Sequence, residues 1–398
     1  MPAVEVWSGS AWLRAFNRQS VFRPTLTADD TDQTASLNAQ IAAIPDGTAL
    51  EPVTIFLPSG NFRIDGIVAI SSREWLIIDG EGNFNHYSDL TGVEASVADR
   101  AHWRFSGSND CVLRRISVRG PNDQRDVSDP RMALYLEALV NEHGVGIQGA
   151  SERITVELVT IDQVHGDTVY VGGTGDPNLD ITLKNITGTY MGRQGLGIVL
   201  VNGLLVEDCD IQWGGRSGCD IEPNHNSHMV WNATFRRCTF GCQFYPWIAG
   251  GSGSDITPTV FNILIEDCFG VNTTSAHTAL LANCDDPDTI TIRRHTDLRN
   301  RSTQCMTFNN WGGTVTVEDC VVTSGASTPT SYGVVLSNCD AAVTITGNTF
   351  NGVSGAVGAG GADELYGVNI VGAGAEPVSI TTCGNEWNRG GSHDGACS

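Results

Sequence analysis

The amino-acid sequence predicts an all-β solenoid, a parallel β-helix of about ten coils or more. A six-residue phrase recurs with a mean spacing of 28 residues, a period typical of units that bury their apolar side only by stacking on neighbours. A second phrase recurs between copies of the first. The composition agrees, because 46 Gly and only 17% charged residues suit a long, turn-rich β-protein with one continuous core.

The first phrase alternates apolar and polar residues, which is the period of a β-strand rather than of a helix. Its copies are Cys111–Ile116, Ile154–Val159, Ile181–Ile186, Leu204–Cys209, Ala233–Cys238, Ile263–Cys268, Ile290–His295, Val315–Cys320, Val343–Asn348 and Val378–Cys383.

The second phrase predicts another strand in each coil, joined to the first by turns rich in Gly, Asn and Asp. Leucine-rich horseshoes need regular leucine spacing and propellers need hairpin units of roughly 40 residues, and neither pattern is present. The copies of the second phrase are Gly144–Gly149, Asp167–Gly172, Gly197–Asn202, Cys219–Asn224, Thr278–Asn283, Cys305–Asn310, Gly333–Asn338 and Gly367–Gly372.

The cysteines follow the repeat rather than the spacing of a zinc site. Equivalent slots on neighbouring coils lie about 4.8 Å apart, and Cys is readily buried as a small apolar side chain. We therefore expect an internal ladder of free thiols, with Cys219 and Cys305 sharing a slot of the second phrase, and no metal or other cofactor. The ladder cysteines of the first phrase are Cys209, Cys238, Cys268, Cys320 and Cys383.

The net charge of −22 excludes two classes of partner. A surface of this sign repels nucleic-acid phosphates and anionic membrane surfaces. The chain also contains no run of 18 apolar residues. We expect neither nucleic-acid binding nor membrane insertion.

The start of the chain differs from the repeats. Aromatic residues such as Trp7 and Phe16 mix there with arginines, and no basic region followed by an apolar stretch indicates a leader peptide. The segment is either a cap over the open end of the solenoid or an attachment segment for a larger assembly. We divide the chain into this segment (1–27), the β-helix domain (28–385) and a C-terminal tail (386–398).

The segments Asp29–Ala43, Thr54–Ile64 and Leu76–Gly82 resemble the entry of the pectate-lyase-like β-helix superfamily. There, a short amphipathic helix caps the solenoid and the first strand runs into a turn of the type LPxGxY. The resemblance assigns to the helix face, the strand and the turn the residues Leu37, Ile41, Ile44, Phe56, Leu57, Pro58, Gly60 and Phe62.

A second resemblance concerns Gly166–Gly172, Arg193–Ile198 and Asp220–Asn224, which are similar to motifs of right-handed β-helix proteins of phage tails and of bacterial polysaccharide-active enzymes. It covers about residues 28–385 and implies a right-handed helix, a homotrimer and a polysaccharide or cell-wall glycan as partner. This scaffold hosts lyases, hydrolases, epimerases and binding proteins, so the resemblance does not specify the reaction.

One copy of the second phrase departs from the apolar pattern, because Asp220 and Glu222 occupy slots that are apolar in most other copies. Either both carboxylates enter the core with arginine partners, or the strand slips by one residue. Slippage sends Cys219 and Ile221 inward and both acids outward, about 7 Å apart along the strand. We favour slippage.

Asp167 lies two coils earlier, at roughly 10 Å from Asp220, with Arg193 and Gln194 on the coil between them. Carboxylates about 6.5–9.5 Å apart suit an inverting glycosidase. We therefore predict Asp220, Glu222 and Asp167 as catalytic residues. The arginines of this region could bind a uronic acid or sulfate, or hold one carboxylate ionised. A salt-bridge network that only stabilises one side of the helix is the alternative.

Aromatic and polar residues near the acids are candidates for glycan contacts, because sugar rings stack on flat aromatic faces, although such residues also cap β-protein loops. We also predict a short helix within Arg131–Val140 as one wall of a groove. The acidic turn Asp285, Asp286 and Asp288 is interpreted as solvated rather than as a calcium site. The predicted substrate-binding residues are Arg193, Gln194, Arg216, His165, Trp213, Tyr245 and Trp247.

Two functional hypotheses follow. The first is a phage tail protein, of the tailspike or minor tail type, that binds host-surface polysaccharide with or without depolymerising it, and whose N-terminal segment contacts other tail proteins of the virion. As an enzyme it would be a glycoside hydrolase, with a lyase second. The second is a secreted, free-standing bacterial polysaccharide hydrolase, lyase or epimerase. A non-catalytic structural tail protein is a variant of the first.

Overall fold

The structure is a computed structural model that describes most of the chain. The described residues are 4–7, 12–15, 20–89, 101–223, 225, 227–242, 247–249, 259–273, 278–284, 289–299, 304–323, 332–337, 339, 341–351, 368–371, 379–387 and 392–393.

The secondary structure is almost entirely strand. The one α-helix of the described residues is α1 (Thr34–Ala42), and one 3₁₀ turn spans Glu137–Leu139. The strands up to the acidic coil are β1 (Val4–Trp7), β2 (Trp12–Ala15), β3 (Ser20–Phe22), β4 (Val53–Phe56), β5 (Gly60–Arg63), β6 (Val68–Ser71), β7 (Leu76–Tyr87), β8 (Ala101–Ser106), β9 (Val112–Arg119), β10 (His143–Gln148), β11 (Thr155–Glu157), β12 (Thr160–Asp162), β13 (Val169–Val171), β14 (Asn178–Lys184), β15 (Thr187–Thr189), β16 (Leu196–Ile198), β17 (Val201–Glu207), β18 (Asp210–Gly214) and β19 (Cys219–Ile221).

The later strands continue the same order of three per coil. They are β20 (Met229–Arg236), β21 (Thr239–Cys242), β22 (Trp247–Ala249), β23 (Thr259–Glu266), β24 (Phe269–Thr273), β25 (Thr278–Cys284), β26 (Thr289–Arg293), β27 (Thr296–Arg299), β28 (Gln304–Trp311), β29 (Thr314–Glu318), β30 (Val321–Thr323), β31 (Tyr332–Ser337), β32 (Ala342–Thr346), β33 (Thr349–Asn351), β34 (Val368–Val371), β35 (Ser379–Cys383), β36 (Glu386–Trp387) and β37 (Ser392–His393).

The strands stack as a parallel β-helix, which confirms the predicted fold class, all-β and right-handed. One face, sheet I, contains 11 strands, from β6 through β10, β13, β16 and β19 to β34. The other strands, apart from β1 and β2, form sheet II, to which a complete coil contributes two strands, such as β14 and β15. Each strand pairs in parallel with its equivalent one coil away, as β13 does with β16.

The two strands of sheet II meet at a single residue in the left-handed conformation. Its φ lies between +49° and +56° in eight coils, and Gly347 takes this position with φ of 66°. A non-glycine residue with positive φ is uncommon, so the recurrence shows that coil geometry imposes this corner whatever side chain is present. The eight non-glycine residues are Arg115, Leu158, Asn185, Asp208, Arg237, Asp267, Arg294 and Asp319.

The core is one column of inward-facing side chains between the sheets. Val169, Leu196 and Cys219 stack on successive coils, and all three are fully buried. Cys219 and Ile221 both belong to this core. The predicted slippage of the acidic strand is therefore confirmed.

The predicted thiol ladder is confirmed in the middle of the solenoid. Cys209, Cys238, Cys268 and Cys320 are buried free thiols. Each sulfur contacts a backbone carbonyl of the preceding coil, at 3.6 Å for Cys238 and Val206 and at 3.7 Å for Cys209 and Leu183. Four other cysteines are also buried and free, among them Cys111.

Two cysteine assignments are wrong. Cys383 pairs with Thr346 rather than with Asn348, and it is disulfide-bonded. Asn385 takes the expected slot, where its Oδ1 accepts the Asn348 backbone N–H at 2.9 Å. The last coil is thus displaced by two residues from the copy read in the sequence.

The second wrong assignment is the slot that Cys219 was predicted to share with Cys305. Register couples Cys219 to Trp247, then Thr278 and then Met306, so Cys305 lies one residue away from that column. Loops of unequal length before these strands change the register, which a fixed repeat length does not anticipate.

On the outer face of sheet II, equivalent residues of successive coils form one column in which the sign of the charge alternates strictly. We call this column the charge ladder. Lys184 Nζ lies 2.8 Å from Glu207, and Arg293 Nη2 lies 2.7 Å from Glu266. Its members are Asp79, Arg114, Glu157, Lys184, Glu207, Arg236, Glu266, Arg293 and Glu318.

The N-terminal end of the solenoid has the predicted entry. Leu37 and Ile41 are buried on α1 as predicted, whereas Ile44 is buried just beyond the end of the helix. Asn38 holds α1 on β6, the edge strand of sheet I, by donating to Ile67 O at 2.7 Å and accepting the Ala69 N–H at 2.9 Å. Because an uncovered edge invites pairing with another chain, the helix closes the sheet.

The proposed segment boundaries are not tested by these elements. β1 and β2 form an antiparallel hairpin, whereas β3 already pairs in parallel with β4 of sheet II. At the other end β36 pairs with β33. Within the described residues no helix has the length and apolarity to cross a membrane.

Candidate functional site

The acidic coil places a carboxyl group on the outer face of sheet I. Asp220 lies in β19 between the inward residues Cys219 and Ile221, and its register partner on the preceding coil is Gly197. Although it faces outward, Asp220 is only 6% exposed, because side chains of neighbouring coils cover it. Glu222 follows on the same strand edge and its side chain is 20% exposed.

Arg193 connects two of the predicted carboxylates. Its Nη1 lies 3.2 Å from Asp167 Oδ2, and its Nη2 lies 2.6 Å from Glu222 Oε2. The guanidinium is therefore positioned between the coils of Asp167 and Glu222, as the sequence predicted. Asp167 and Glu222 together raise the pKa of Arg193 despite the opposing effect of burial, so Arg193 is a permanent cation here.

Gln194 connects Asp167 to Asp220. Its backbone N–H donates to Asp167 Oδ1 at 3.1 Å, and its side-chain Nε2 contacts Asp220 Oδ2. A side chain on Gly197 would collide with Asp167 Oδ2 and lie 3.1 Å from Gln194 Oε1. Glycine is thus required at position 197 for these groups to converge. We call Asp167, Arg193, Gln194, Asp220 and Glu222 the acidic site.

Two of the carboxyl groups hold their protons more tightly than an exposed carboxyl. Burial raises the pKa of Asp167 to about 6, even though Arg193 and the Gln194 N–H act to lower it. Burial and the Glu222 carboxylate raise the pKa of Asp220 well above its ordinary value, against the effect of Arg193. Perturbed carboxyl groups of this kind are typical of catalytic sites, although structural ion networks also produce them.

The acidic site also has unused hydrogen-bonding capacity. Asp220 Oδ1 and Gln194 Oε1 are buried, and neither hydrogen bonds to another side chain or backbone group of the described residues. Such atoms are costly when they are left unpaired in a fold. Their convergence is the feature that distinguishes this cluster from a saturated salt-bridge network.

Arg216 lies at the rim rather than among the carboxylates. Its backbone N–H donates to Arg193 O at 2.9 Å, and its exposed side chain lies over Tyr135, with Nη1 3.3 Å from the Tyr135 hydroxyl. Trp213 is half-buried, and its carbonyl accepts the Ala133 N–H at 3.2 Å. The excursion that contains Tyr135 and Ala133 therefore packs beside the acidic site.

The helix predicted in that excursion is largely absent. Only the 3₁₀ turn Glu137–Leu139 forms within Arg131–Val140. The backbone of the segment bonds to other segments instead, because the Ala133 N–H donates to Trp213 O and the Leu134 N–H donates to Gln124 O. Of the predicted aromatic contacts, Tyr245 lies outside the described residues, and of Trp247 only the backbone pairing with Cys219 is described.

The sequence interpretation missed residues that lie directly behind the acidic site. His143 Nδ1 accepts the Asp167 N–H at 3.0 Å, and the His143 ring stacks on Tyr170 with centroids 4.8 Å apart. Glu142 is fully buried and accepts hydrogen bonds from His165. The available signal was the pair Glu142 and His143, which directly precedes the copy Gly144–Gly149 of the second phrase.

Elsewhere the surface has a groove of about 640 Å³ that includes no predicted site residue. Its floor is polar, with Asn61, Asn85, Ser117 and Thr160 on successive coils of sheet II. No three His, Cys, Asp or Glu side chains are arranged to hold a metal ion in the described part of the chain. Asp285, Asp286 and Asp288 lie outside that part.

No protein-family model matches the chain. It is 23% identical over 258 residues to the SPbeta prophage-derived protein YorA of Bacillus subtilis (strain 168). The match covers 60% of this chain and 41% of that relative, so the chain corresponds to about two fifths of the relative's length.

Among solved structures, the A-module of mannuronan C-5 epimerase AlgE4 from Azotobacter vinelandii superposes with a TM-score of 0.63 at 14% identity, covering 94% of this chain and 100% of that one. The endo-xylogalacturonan hydrolase of Aspergillus tubingensis gives 0.56 at 12%, covering 95% and 96%. The Dettilon tailspike protein (gp208) gives 0.52 at 13%, covering 88% and 68%.

The chain has the pectate-lyase-like parallel β-helix fold. At these levels of identity the likeness establishes the scaffold alone. Within this β-helix the acidic site lies on the outside of sheet I, and its chemistry has to be argued from its own residues.

Proposed function

We propose that this β-helix protein is associated with a phage tail, where it binds host cell-surface polysaccharide and hydrolyses glycosidic bonds at the acidic site. Similarity to a prophage-derived protein and to a tailspike supports the phage context. The observation that carries the catalytic part is Asp220, an outward-facing but buried carboxyl with a raised pKa beside the ion-paired Glu222.

The two acids are suited to opposite roles. Burial and the neighbouring Glu222 carboxylate raise the pKa of Asp220 and so favour its protonated form, which suits the general acid that protonates the leaving glycosidic oxygen. Glu222 is paired with Arg193 and is the more exposed of the two, so it can act as the general base that takes a proton from the attacking water. The water oxygen bonds to the anomeric carbon while the bond from that carbon to the leaving oxygen breaks.

The spacing of the acids predicts the stereochemistry. Residues two apart on an extended strand are separated by about 7 Å, which falls in the range of about 6.5–9.5 Å that leaves room for a water molecule in inverting glycosidases. We therefore propose inversion at the anomeric carbon. Asp167 supports Arg193 from the side opposite Glu222, and Arg216 at the rim could contact an acidic sugar.

The first test is product analysis on host-envelope polysaccharide. We expect new reducing ends, with the inverted anomer visible by proton NMR immediately after cleavage. Asp220→Asn and Glu222→Gln should each lower kcat by about 10²–10⁴-fold while polysaccharide binding persists. Asp210→Asn, on the exposed face of sheet II, is the matched control and should retain full activity.

Other outcomes separate the alternatives. Ultraviolet-absorbing unsaturated ends would identify a lyase instead of a hydrolase. Binding without any product would leave a recognition or structural role in the tail. Unchanged activity in both Asp220→Asn and Glu222→Gln would exclude the acidic site from catalysis. The proposed location in the virion tail is tested by probing purified virions with an antibody against this chain.

A further inference from the structure

A buried chain of side chains leads to the acidic site from the interior. His86 Nε2 lies 3.1 Å from His102 Nδ1, His102 Nε2 contacts Glu142 Oε1, and Glu142 Oε2 lies 2.8 Å from His165 Nδ1. All four side chains are at least 97% buried. His165 is two residues before Asp167, so the chain ends next to a predicted catalytic carboxyl.

Glu142 and His143 hold the backbone that carries Asp167. Glu142 Oε2 accepts the backbone N–H of His165 at 2.7 Å, and the Glu142 carbonyl accepts the Gly166 N–H at 2.8 Å. His143 Nδ1 accepts the Asp167 N–H at 3.0 Å. Three consecutive peptide groups, 165 to 167, therefore depend on two adjacent residues of the preceding coil.

Hydrogen-bond logic assigns the imidazole protons. Ile64 O, 3.0 Å from His86 Nε2, can only accept, so that nitrogen carries a proton. His102 Nδ1 then accepts and its Nε2 donates to Glu142. His165 Nδ1 donates to the other Glu142 oxygen. His143 Nδ1 accepts a backbone N–H, so the ring carries its proton on Nε2.

The Glu142 carboxylate suits this arrangement. Burial acts to raise the pKa of Glu142, but His102 and His165 outweigh it and lower the pKa to about 2. An ionised carboxylate has no proton to donate, so both imidazoles must present N–H groups to it. The charge of Glu142 thereby selects one tautomer in each neighbouring ring.

We propose that Glu142 is a positioning residue of the acidic site, which keeps the proton of His165 on Nδ1 and, with His143, places Asp167 against Arg193. The catalytic consequence rests on the proposed glycosidase function, whereas the tautomers and the backbone contacts do not. Asp167 is then held where its Oδ2 meets Arg193.

Nitrogen-15 NMR of histidine-labelled full-length protein tests the wild type directly, with signals assigned by single His→Gln variants. At neutral pH we expect a proton on Nδ1 of His165 and none on Nδ1 of His102 or His143. A His165 ring without a proton on Nδ1 would overturn the proposal. Because this measurement needs neither substrate nor a Glu142 variant, it separates the inference from the proposed function.

Glu142→Gln is the second test. One amide oxygen cannot accept from both imidazoles, and the amide NH₂ must face one of them, so we expect His102 or His165 to change tautomer. On polysaccharide we expect kcat to fall by about 10–100-fold with KM nearly unchanged, as for a displaced catalytic group.

Asp79→Asn is the matched control, because Asp79 is a fully buried, ion-paired carboxylate on β7, hydrogen bonded to Arg114 and Arg115 at 2.8 Å. It should lose thermal stability while keeping the histidine signals and kcat. Unchanged histidine tautomers in Glu142→Gln would refute the assignment, and equal kcat losses in both variants would reduce Glu142 to a stability role.

Discussion

At the scale of single residues, the ionisation of each carboxyl group depends on its partners as well as on its burial. Asp167 and Glu142 are both fully buried, yet the pKa of Asp167 is raised to about 6 and that of Glu142 is lowered to about 2. Both accept one peptide N–H, but Glu142 also contacts two imidazoles, whereas Asp167 shares one arginine with Glu222. Burial alone does not decide ionisation.

The raised pKa of Asp167 predicts a pH-dependent cost. Its folded pKa lies above the unfolded value of about 3.9, so the folded state keeps the proton longer, and stability falls as the pH rises between about 4 and 6. Relative to Asp167→Asn, which does not titrate, wild type should lose about 2 kcal/mol between pH 4 and pH 7. Urea unfolding of both proteins at the two pH values measures this.

The pH dependence of stability expected for Glu142 has the opposite sign, and Glu142→Gln is the variant that tests it. The lowered pKa of Glu142 stabilises the fold above pH 4.5, and this contribution is lost as the pH falls toward 2. A stability difference between wild type and Asp167→Asn that stays constant from pH 4 to pH 7 would show that folding does not raise the pKa of Asp167.

At the scale of elements, the repeat has a regular pattern on both its inward and its outward face. Inward slots supply the core, while the charge ladder sets opposite charges on neighbouring coils across nine strands of sheet II. Exposed ion pairs contribute little individually. In the charge ladder these pairs favour the correct pairing of strands, because a strand paired with the wrong coil would face a residue of like charge.

A charge exchange tests whether the ladder acts as a unit. In an isolated pair, exchanging Lys184 and Glu207 would restore the attraction. In the ladder, Lys184→Glu meets Glu157 and Glu207→Lys meets Arg236. We therefore expect the double variant to unfold at lower urea concentration than wild type.

The deficit of the double variant should shrink in 1 M NaCl, because salt screens exposed charges. The single variant Glu207→Gln, which only removes a charge, is the control and should show a smaller loss. Full recovery of stability in the double variant would mean that the pairs are independent.

At the scale of the whole molecule, the solenoid is a rigid support on which distant residues of the sequence become neighbours. Asp167, Arg193 and Glu222 belong to three successive coils and meet because equivalent strands stack in parallel. An extended ligand such as a polysaccharide suits a surface built this way, because similar groups recur from coil to coil along the helix axis.

The expected homotrimer is a prediction about how copies of this chain assemble. A chain of 42.4 kDa would give a species of three times that mass in analytical ultracentrifugation. The interaction should persist in dilute solution, since a stable homo-oligomer buries a large interface. A monomer at micromolar concentration would contradict the assembly that the family resemblance implies.

The sequence was sufficient for the fold class, the cap and the orientation of the acidic strand. Period-two alternation and a 28-residue repeat depend only on local stacking, so Cys219 and Ile221 could be placed inside and Asp220 and Glu222 outside before any coordinates. The predicted bridging position of Arg193 followed from the order of the coils alone.

Only the tertiary structure decided register and proton placement. Loops of unequal length move Cys383 and Cys305 away from their expected columns. The contacts of Glu142 with His102 and His165 join segments up to 40 residues apart, and no periodicity encodes them. Repetition determines which way a side chain faces, whereas the pKa of a carboxyl depends on burial and on partners that only the packed coils bring within a few ångströms.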